Sequence, residues 1–125
     1  MLAHGADLSE AVIGLAIEVH RALGPGLLEN AYEQCMALAL TDTKLDFVRQ
    51  SPIDIVFKNL RQTAAYRVDL LVEDRLVVEI KATDRLMPIH EAQLLTYLRL
   101  GNYRFGLLLN FNVILLKNGI RRLVT

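Results

Sequence analysis

The sequence predicts an α/β fold in which a mixed β-sheet is flanked by helices, in the order α-α-β-β-β-α-β-β-β. Three observations carry this. The chain has 125 residues, the length of one domain, and 53% of them are hydrophobic, enough for one sizeable core. Apolar residues recur at helical spacing up to about residue 40, switch to period 2, and return to helical spacing after Pro88. No linker, repeat or low-complexity stretch interrupts them, so residues 1–125 read as a single domain.

Leu8, Val12, Leu15, Ala16, Val19 and Leu23 form the apolar face of the first helix. Asp7, three residues before Glu10, resembles a capping box with Asp in place of Ser or Thr. Gly24-Pro25-Gly26 must end the helix, because glycine suits a left-handed cap and proline cannot continue it. A second helix starts near Leu28 or Glu29 and runs to about Leu40, with Leu28, Ala31, Tyr32, Cys35, Met36 and Ala39 as its apolar members.

Ile53, Ile55 and Phe57 then alternate with Asp54, Val56 and Lys58, a strand pattern ended by a turn at 58–60. Tyr66 to Val72 is a second strand, with Tyr66, Val68 and Leu70 expected on one face. After the polar turn Glu73-Asp74-Arg75 comes Leu76 to Lys81, Val/Ile-rich enough for the sheet centre. Pro88 suits the first turn of a helix that Gly101 ends. Tyr103 to Leu109 and Val113 to Leu116 read as further strands. Asn118-Gly119 is a hairpin signal before a last edge strand, Ile120 to Val124.

Composition bounds the function. Lys plus Arg and Asp plus Glu are equal at 14 each, which argues against a histone-like or tail-type nucleic-acid binder. The charge is nevertheless uneven: residues 1–42 hold six acids and one base, residues 43–125 thirteen bases and eight acids. Either the second part offers a basic face to phosphate backbones, or the acidic helices simply complement it. The single cysteine, Cys35, excludes an internal disulfide framework and a Cys-rich zinc site, and fits a reducing compartment. No apolar run approaches the roughly 20 residues of a membrane helix, and no signal peptide is evident. A cytoplasmic protein without membrane partners is expected.

Charges within apolar strands need a reason. Asp69 stands in Tyr-Arg-Val-Asp-Leu-Leu-Val, and Glu79 and Lys81 in Leu-Val-Val-Glu-Ile-Lys-Ala. A lone buried carboxylate is costly unless it is paired or binds a metal. Glu79 and Lys81 are two apart and share a strand face. If the Glu73–Arg75 turn closes a hairpin, Asp69 comes opposite Glu79. Two carboxylates and an ammonium then converge. Mg²⁺ takes one or two carboxylates, water and a phosphate oxygen, so this constellation suits metal-assisted phosphodiester hydrolysis. A buried ion network that sets strand register is the alternative.

Asp69, nine residues, then Glu79-Ile80-Lys81 resembles the D-Xn-(D/E)-X-K signature of the PD-(D/E)XK nuclease superfamily. Gly26-Leu27-Leu28-Glu29-Asn30-Ala31-Tyr32 resembles the G-x-x-E-x-x-Y motif of the small GxxExxY proteins, generally placed in that superfamily. The resemblance continues through Ile17–His20, Leu23–Gly26, Arg49–Pro52, His90–Leu98 and Gly106–Phe111, and so covers the chain from about Val12 to Val124. It departs at 41–44, where a helix-ending glycine would be expected.

The resemblance implies a restriction-endonuclease-like core with the site on its second and third strands. Asp69 and Glu79 would be metal ligands, the Ile80 backbone carbonyl a third oxygen, and Lys81 the catalytic lysine. Glu29 would be the additional acidic residue and metal ligand, although a carboxylate in a first helical turn also suits the helix dipole, and by position Glu33, one turn on, could substitute. Gln93 would be the accessory polar residue, with Tyr97 one turn on. The cofactor implied is Mg²⁺ or Mn²⁺, and the partner nucleic acid, DNA or RNA.

Other polar residues have structural readings beside functional ones. Glu18 and His20 suit capping or helix–helix bonding near a helix end. Tyr32 suits the core with its hydroxyl satisfied, or a bond to a site carboxylate. Cys35 suits burial on an apolar helix face. His90 reads as structural or solvated, with no partner at zinc-ligand spacing. Arg49 and Arg67 flank the strands as phosphate contacts or surface pairs. A catalytically inactive nucleic-acid-binding or accessory module and a small-molecule phosphate-ester hydrolase are the competing functions. An edge strand at Ile120–Val124 suits a homodimer.

Overall fold

The structure is a computed structural model that describes the backbone from Gly5 to Thr125 and side chains from Leu8 onward. Its elements are α1 (Gly5–Leu23), α2 (Glu29–Thr41), β1 (Phe47–Phe57), β2 (Leu60–Val72), β3 (Leu76–Lys81), α3 (Pro88–Gly101), β4 (Phe105–Asn110) and β5 (Ile120–Val124). The five strands form one mixed sheet in the order β1-β2-β3-β4-β5. Only β3 and β4 are parallel, joined by the α3 crossover; the other neighbours are antiparallel. This is the expected mixed sheet flanked by helices.

Two apolar layers hold it. Leu8, Val12, Ala16 and Val19 of α1, with Tyr32, Met36 and Leu40 of α2, pack on Leu70, Val72, Leu76, Val78, Ile80, Leu107 and Leu109. On the other face Leu94 and Leu98 of α3 pack on Ile53, Val68, Leu71, Val77 and Leu108. Fully burying each such side chain contributes about 1.5–3 kcal/mol. Gly106 lets α3 lie close, because a Cβ there would meet Leu94 and Leu98.

The ends of the elements differ in places from expectation. The Asp7–Glu10 cap rests on the Asp7 side chain, which lies outside the described residues. Leu28 is 82% exposed, standing at the N-cap of α2 rather than on its apolar face. Cys35 is half-buried against the α1/α2 core. In place of a glycine after α2, hydroxyls do the capping: Thr41 Oγ1 donates to Ala37 O (2.8 Å), and Thr43 Oγ1 donates to Leu40 O and accepts from Leu45 N. The first strand begins at Phe47 rather than near Ile53, because its partner β2 runs on to Val72, which pairs with Phe47.

Residues 113–116 are not a strand. Buried Asn110 accepts Asn112 N–H on Oδ1 and turns the chain out of the sheet. A 3₁₀ turn, Leu116–Gly119, then leads directly into β5. Asn118-Gly119 ends that turn instead of forming a two-residue hairpin. Gly119 is required by proximity, since a Cβ would collide with the Asn110 carbonyl.

One irregularity positions the candidate site residues. Tyr66 and Val68 pack on the α3 side of the sheet, whereas Leu70 and Val72 pack on the α1/α2 side. On β1, Phe47 joins the α1/α2 cluster and Ile53 the α3 cluster. Arg49 still pairs with Leu70 and Ser51 with Val68. Each strand therefore passes through one extra residue, Gln50 and Asp69, and both swap faces there. Gln50 takes the left-handed conformation (φ 52°) that the swap requires. The expected common face for Tyr66, Val68 and Leu70 fails for this reason.

Candidate active site

The β2–β3 hairpin closes tightly: Arg75 N–H donates to Val72 O, with Glu73 and Asp74 both at φ 54°. Such a turn matches the twist of adjacent strands. The ladder pairs Leu70 with Val78, which brings Asp69 opposite Glu79, as the spacing predicts. At that level the strands part, and the two carboxylates take over the ladder. Asp69 N–H donates to Glu79 Oε1 at 2.9 Å, and Ile80 N–H donates to Asp69 Oδ2 at 2.7 Å. Each carboxylate is thus fixed through one oxygen by backbone of the other strand.

The second oxygens are held by side chains. Tyr66 OH donates to Glu79 Oε2 at 3.1 Å, and Gln50 Nε2 reaches Asp69 Oδ1 at a long 3.4 Å. The Tyr66 ring stacks on Tyr97 of α3, with centroids 3.9 Å apart. Gln50 also donates to Glu33 Oε1 at 2.9 Å, and Glu33 Oε2 accepts Arg49 Nε at 3.0 Å. The cluster therefore draws on both helical layers, Glu33 from α2 and Tyr97 from α3.

Burial governs the electrostatics. Glu79 is 3% exposed; burial and then the charge of Asp69 push its carboxyl up to about 7, against the opposing Asp69 N–H, Tyr66 hydroxyl and Lys81 ammonium. Burial likewise raises Asp69 to about 6, with Glu33 and Glu29 adding repulsion and the Ile80 N–H and Gln50 opposing it. The Tyr66 hydroxyl is held well above its ordinary range by burial and by Glu79, so it remains a donor. Two acids that resist ionising side by side form a site that a cation would relieve.

Lys81 lies two residues beyond Glu79 on β3 and takes part in no ion pair among the described residues. The segment behind it is fixed: Phe111 N–H donates to Lys81 O at 2.9 Å, and Asn110 bonds both Thr83 N–H and Thr83 O. Glu29 is exposed in the first turn of α2 and reaches Asp69 only through its charge. Glu33, its neighbour one turn on, is the α2 acid tied into the cluster. Gln93 is exposed, while Tyr97, one turn on, is connected through Tyr66. Among the described residues no three His, Cys, Asp or Glu side chains come together as a metal group, so neither glutamate of α2 completes one with Asp69 and Glu79. Two carboxylates with a free lone pair each are still a fit for Mg²⁺, a hard cation that keeps several waters.

Gln50 and Tyr66 are the residues that sequence reasoning missed. Gln50 stood in a stretch that resembles the family, but its left-handed backbone has no sequence signal. Tyr66 needed the strand register. Several of the other weighed residues are engaged in contacts within the fold. Tyr32 is fully buried on Phe111 (4.6 Å), and its OH donates to Gly24 O and accepts Leu27 N–H, which fixes the loop before α2. His20 Nε2 bonds Val113 O at 2.8 Å. His90 Nδ1 accepts Met87 N–H at the start of α3. Arg49 is committed to Glu33, and Arg67 donates to Gln50 O while remaining exposed.

No helix among the described residues is long and apolar enough to cross a membrane. Neither a curated protein nor a solved structure matches the chain significantly. A profile of the PD-(D/E)XK nuclease superfamily matches residues 6–123, nearly the whole sequence and all of the Asp69–Glu79–Lys81 constellation. The chain therefore belongs to the PD-(D/E)XK nuclease superfamily, in agreement with its G-x-x-E-x-x-Y resemblance.

Proposed function

We propose that residues 1–125 act as one nuclease domain that hydrolyses phosphodiester bonds in nucleic acid with Mg²⁺ or Mn²⁺. The observation that carries this is the reciprocal carboxylate pair, Asp69 on Ile80 N–H and Glu79 on Asp69 N–H, with both acids raised by burial and by neighbouring negative charge. A pair of this kind costs stability in the free protein, which a purely structural network would avoid. Asp69, Glu79 and the Ile80 carbonyl are the oxygen donors for the cation. A bound divalent ion supplies Lewis-acid polarisation of the phosphate and a more acidic water.

The chain's own residues supply the rest. Lys81, on the Glu79 face of β3, orients the attacking water and stabilises the charge that develops on the phosphate oxygens. Tyr66 and Gln50 position Glu79 and Asp69. Glu33, anchored by Arg49, sets the negative potential behind Asp69, with Glu29 adding to it from the helix start; Gln93 is an exposed polar contact for substrate in the second turn of α3.

The test is Lys81→Ala. Cleavage of single- and double-stranded DNA and RNA should be lost while Mg²⁺ binding is retained. Loss of metal binding in that variant would contradict the role given to Lys81, and undiminished cleavage would contradict the mechanism.

A further inference from the structure

The β1–β2 hairpin outgrows the rest of the sheet. Its ladder runs from Phe47↔Val72 to Phe57↔Leu60, but β3 supports β2 only at Leu70–Val72. No residue from 54 to 65 belongs to either apolar cluster. A two-stranded ribbon without a third strand or a core is marginal on its own. This one is held internally instead: Asp54 Oδ1 accepts Ala64 N–H at 2.8 Å and Oδ2 accepts Arg61 at 3.0 Å, across a bulge where Ala64 takes φ 51°.

The arm's chemistry is one-sided. Its only acid, Asp54, is consumed by those internal bonds, while Lys58, Asn59, Arg61, Gln62 and Thr63 are exposed polar side chains, two of them cationic. At the tip Phe57 is 64% exposed beside Lys58, and Val56 and Leu60 are exposed too. Pairing of the free β1 edge with a second copy is disfavoured, because Pro52 offers no donor and the left-handed Gln50 distorts the edge. Three apolar tips also fall well short of the roughly 1,200 Å² of a stable protein interface.

We infer that residues 54–65 are an arm that enters the major groove of duplex DNA beside the phosphate engaged at Asp69 and Glu79. This rests on the phosphodiester reading above and names its substrate. A two-stranded ribbon fits the wide major groove of B-form DNA, whereas the deep, narrow major groove of A-form RNA excludes it. Lys58 and Arg61 meet phosphates, where Arg61 exchanges a weak exposed ion pair for a stronger one. Phe57 lies against base edges and thymine methyls. The reach is right: Arg61 is eight residues from Asp69, at most about 27 Å along an extended strand, within one turn of duplex (about 34 Å).

The experiment compares the wild type with Lys58→Glu and Phe57→Ser, each checked for an unchanged melting profile. Anisotropy with labelled duplex DNA, duplex RNA and single-stranded DNA is measured in EDTA, beside calorimetry with Mg²⁺ alone. The wild type should prefer duplex DNA. Lys58→Glu should weaken that binding about tenfold and lower the salt slope by about 1, with Mg²⁺ binding unchanged. Phe57→Ser should weaken duplex DNA binding without altering the salt slope. Variants that bind duplex DNA like the wild type, a wild type that prefers duplex RNA or a single strand, or a tip substitution that only dissolves a dimer would each overturn the arm's role. Tip-sensitive DNA binding in a protein that binds no Mg²⁺ would instead refute the nuclease reading and uphold the arm.

Discussion

Replacing Glu79 by Gln should make the metal-free protein more stable at pH 8. In the wild type the Glu79 carboxyl is raised from 4.5 to about 7. The folded protein therefore holds a proton that the unfolded chain has already lost across this window. The contribution of Glu79 to stability is greatest below about pH 4.5 and falls as pH rises through 7, by about 3 kcal/mol at 1.4 kcal/mol per decade. Gln removes the charge, and with it the repulsion of Asp69. Its amide oxygen can still accept Asp69 N–H, more weakly than a carboxylate does, which leaves a net gain on the order of 2 kcal/mol. For a chain of this size that is about 5–10 °C in Tm. The assay is thermal unfolding in EDTA from pH 4.5 to 8. The gain should shrink to nothing at the acid end. A variant no more stable than the wild type at pH 8, or a gain independent of pH, would refute the reasoning.

Tyr66→Phe keeps the stack on Tyr97 but removes the donor to Glu79 Oε2; Mg²⁺ affinity at pH 7, read by calorimetry, should fall about fivefold, the worth of roughly 1 kcal/mol. Tyr32→Phe should cost about 1–3 kcal/mol of stability in denaturant unfolding, through the lost bonds to Gly24 O and Leu27 N–H, and leave Mg²⁺ affinity unchanged. Gly119→Ala should lower stability by about 1–3 kcal/mol, because the added methyl meets the Asn110 backbone; an unchanged Tm would show that the 3₁₀ turn can move away.

The central pairing was legible because it depends on local rules. A polar turn at 73–75 and period-2 strands on either side place Asp69 opposite Glu79, and two residues separate Glu79 from Lys81 on one face. Pro88 marked the start of α3 for the same kind of reason. What could not be read depends on two strands acting together. The extra residues at Gln50 and Asp69 leave no trace in either strand's alternation alone, so period 2 sets Leu70 on the Tyr66 face and gives Gln50 no special place. Glu33 reaches the cluster only because Arg49 stands before the face swap and Gln50 at it. Val113 to Leu116 looked like a strand by composition, and Asn110 overrides that preference by bonding the turn that follows.

The most direct test of the account is a calorimetric titration of Mg²⁺ and Mn²⁺ into the wild type and Glu79→Ala. Binding in the wild type should release protons near pH 6–7, since ligation requires both carboxyls to ionise, and it should vanish in the variant. A wild type that binds neither ion, even with nucleic acid present, would show Asp69, Glu79 and Lys81 to be a structural ion network.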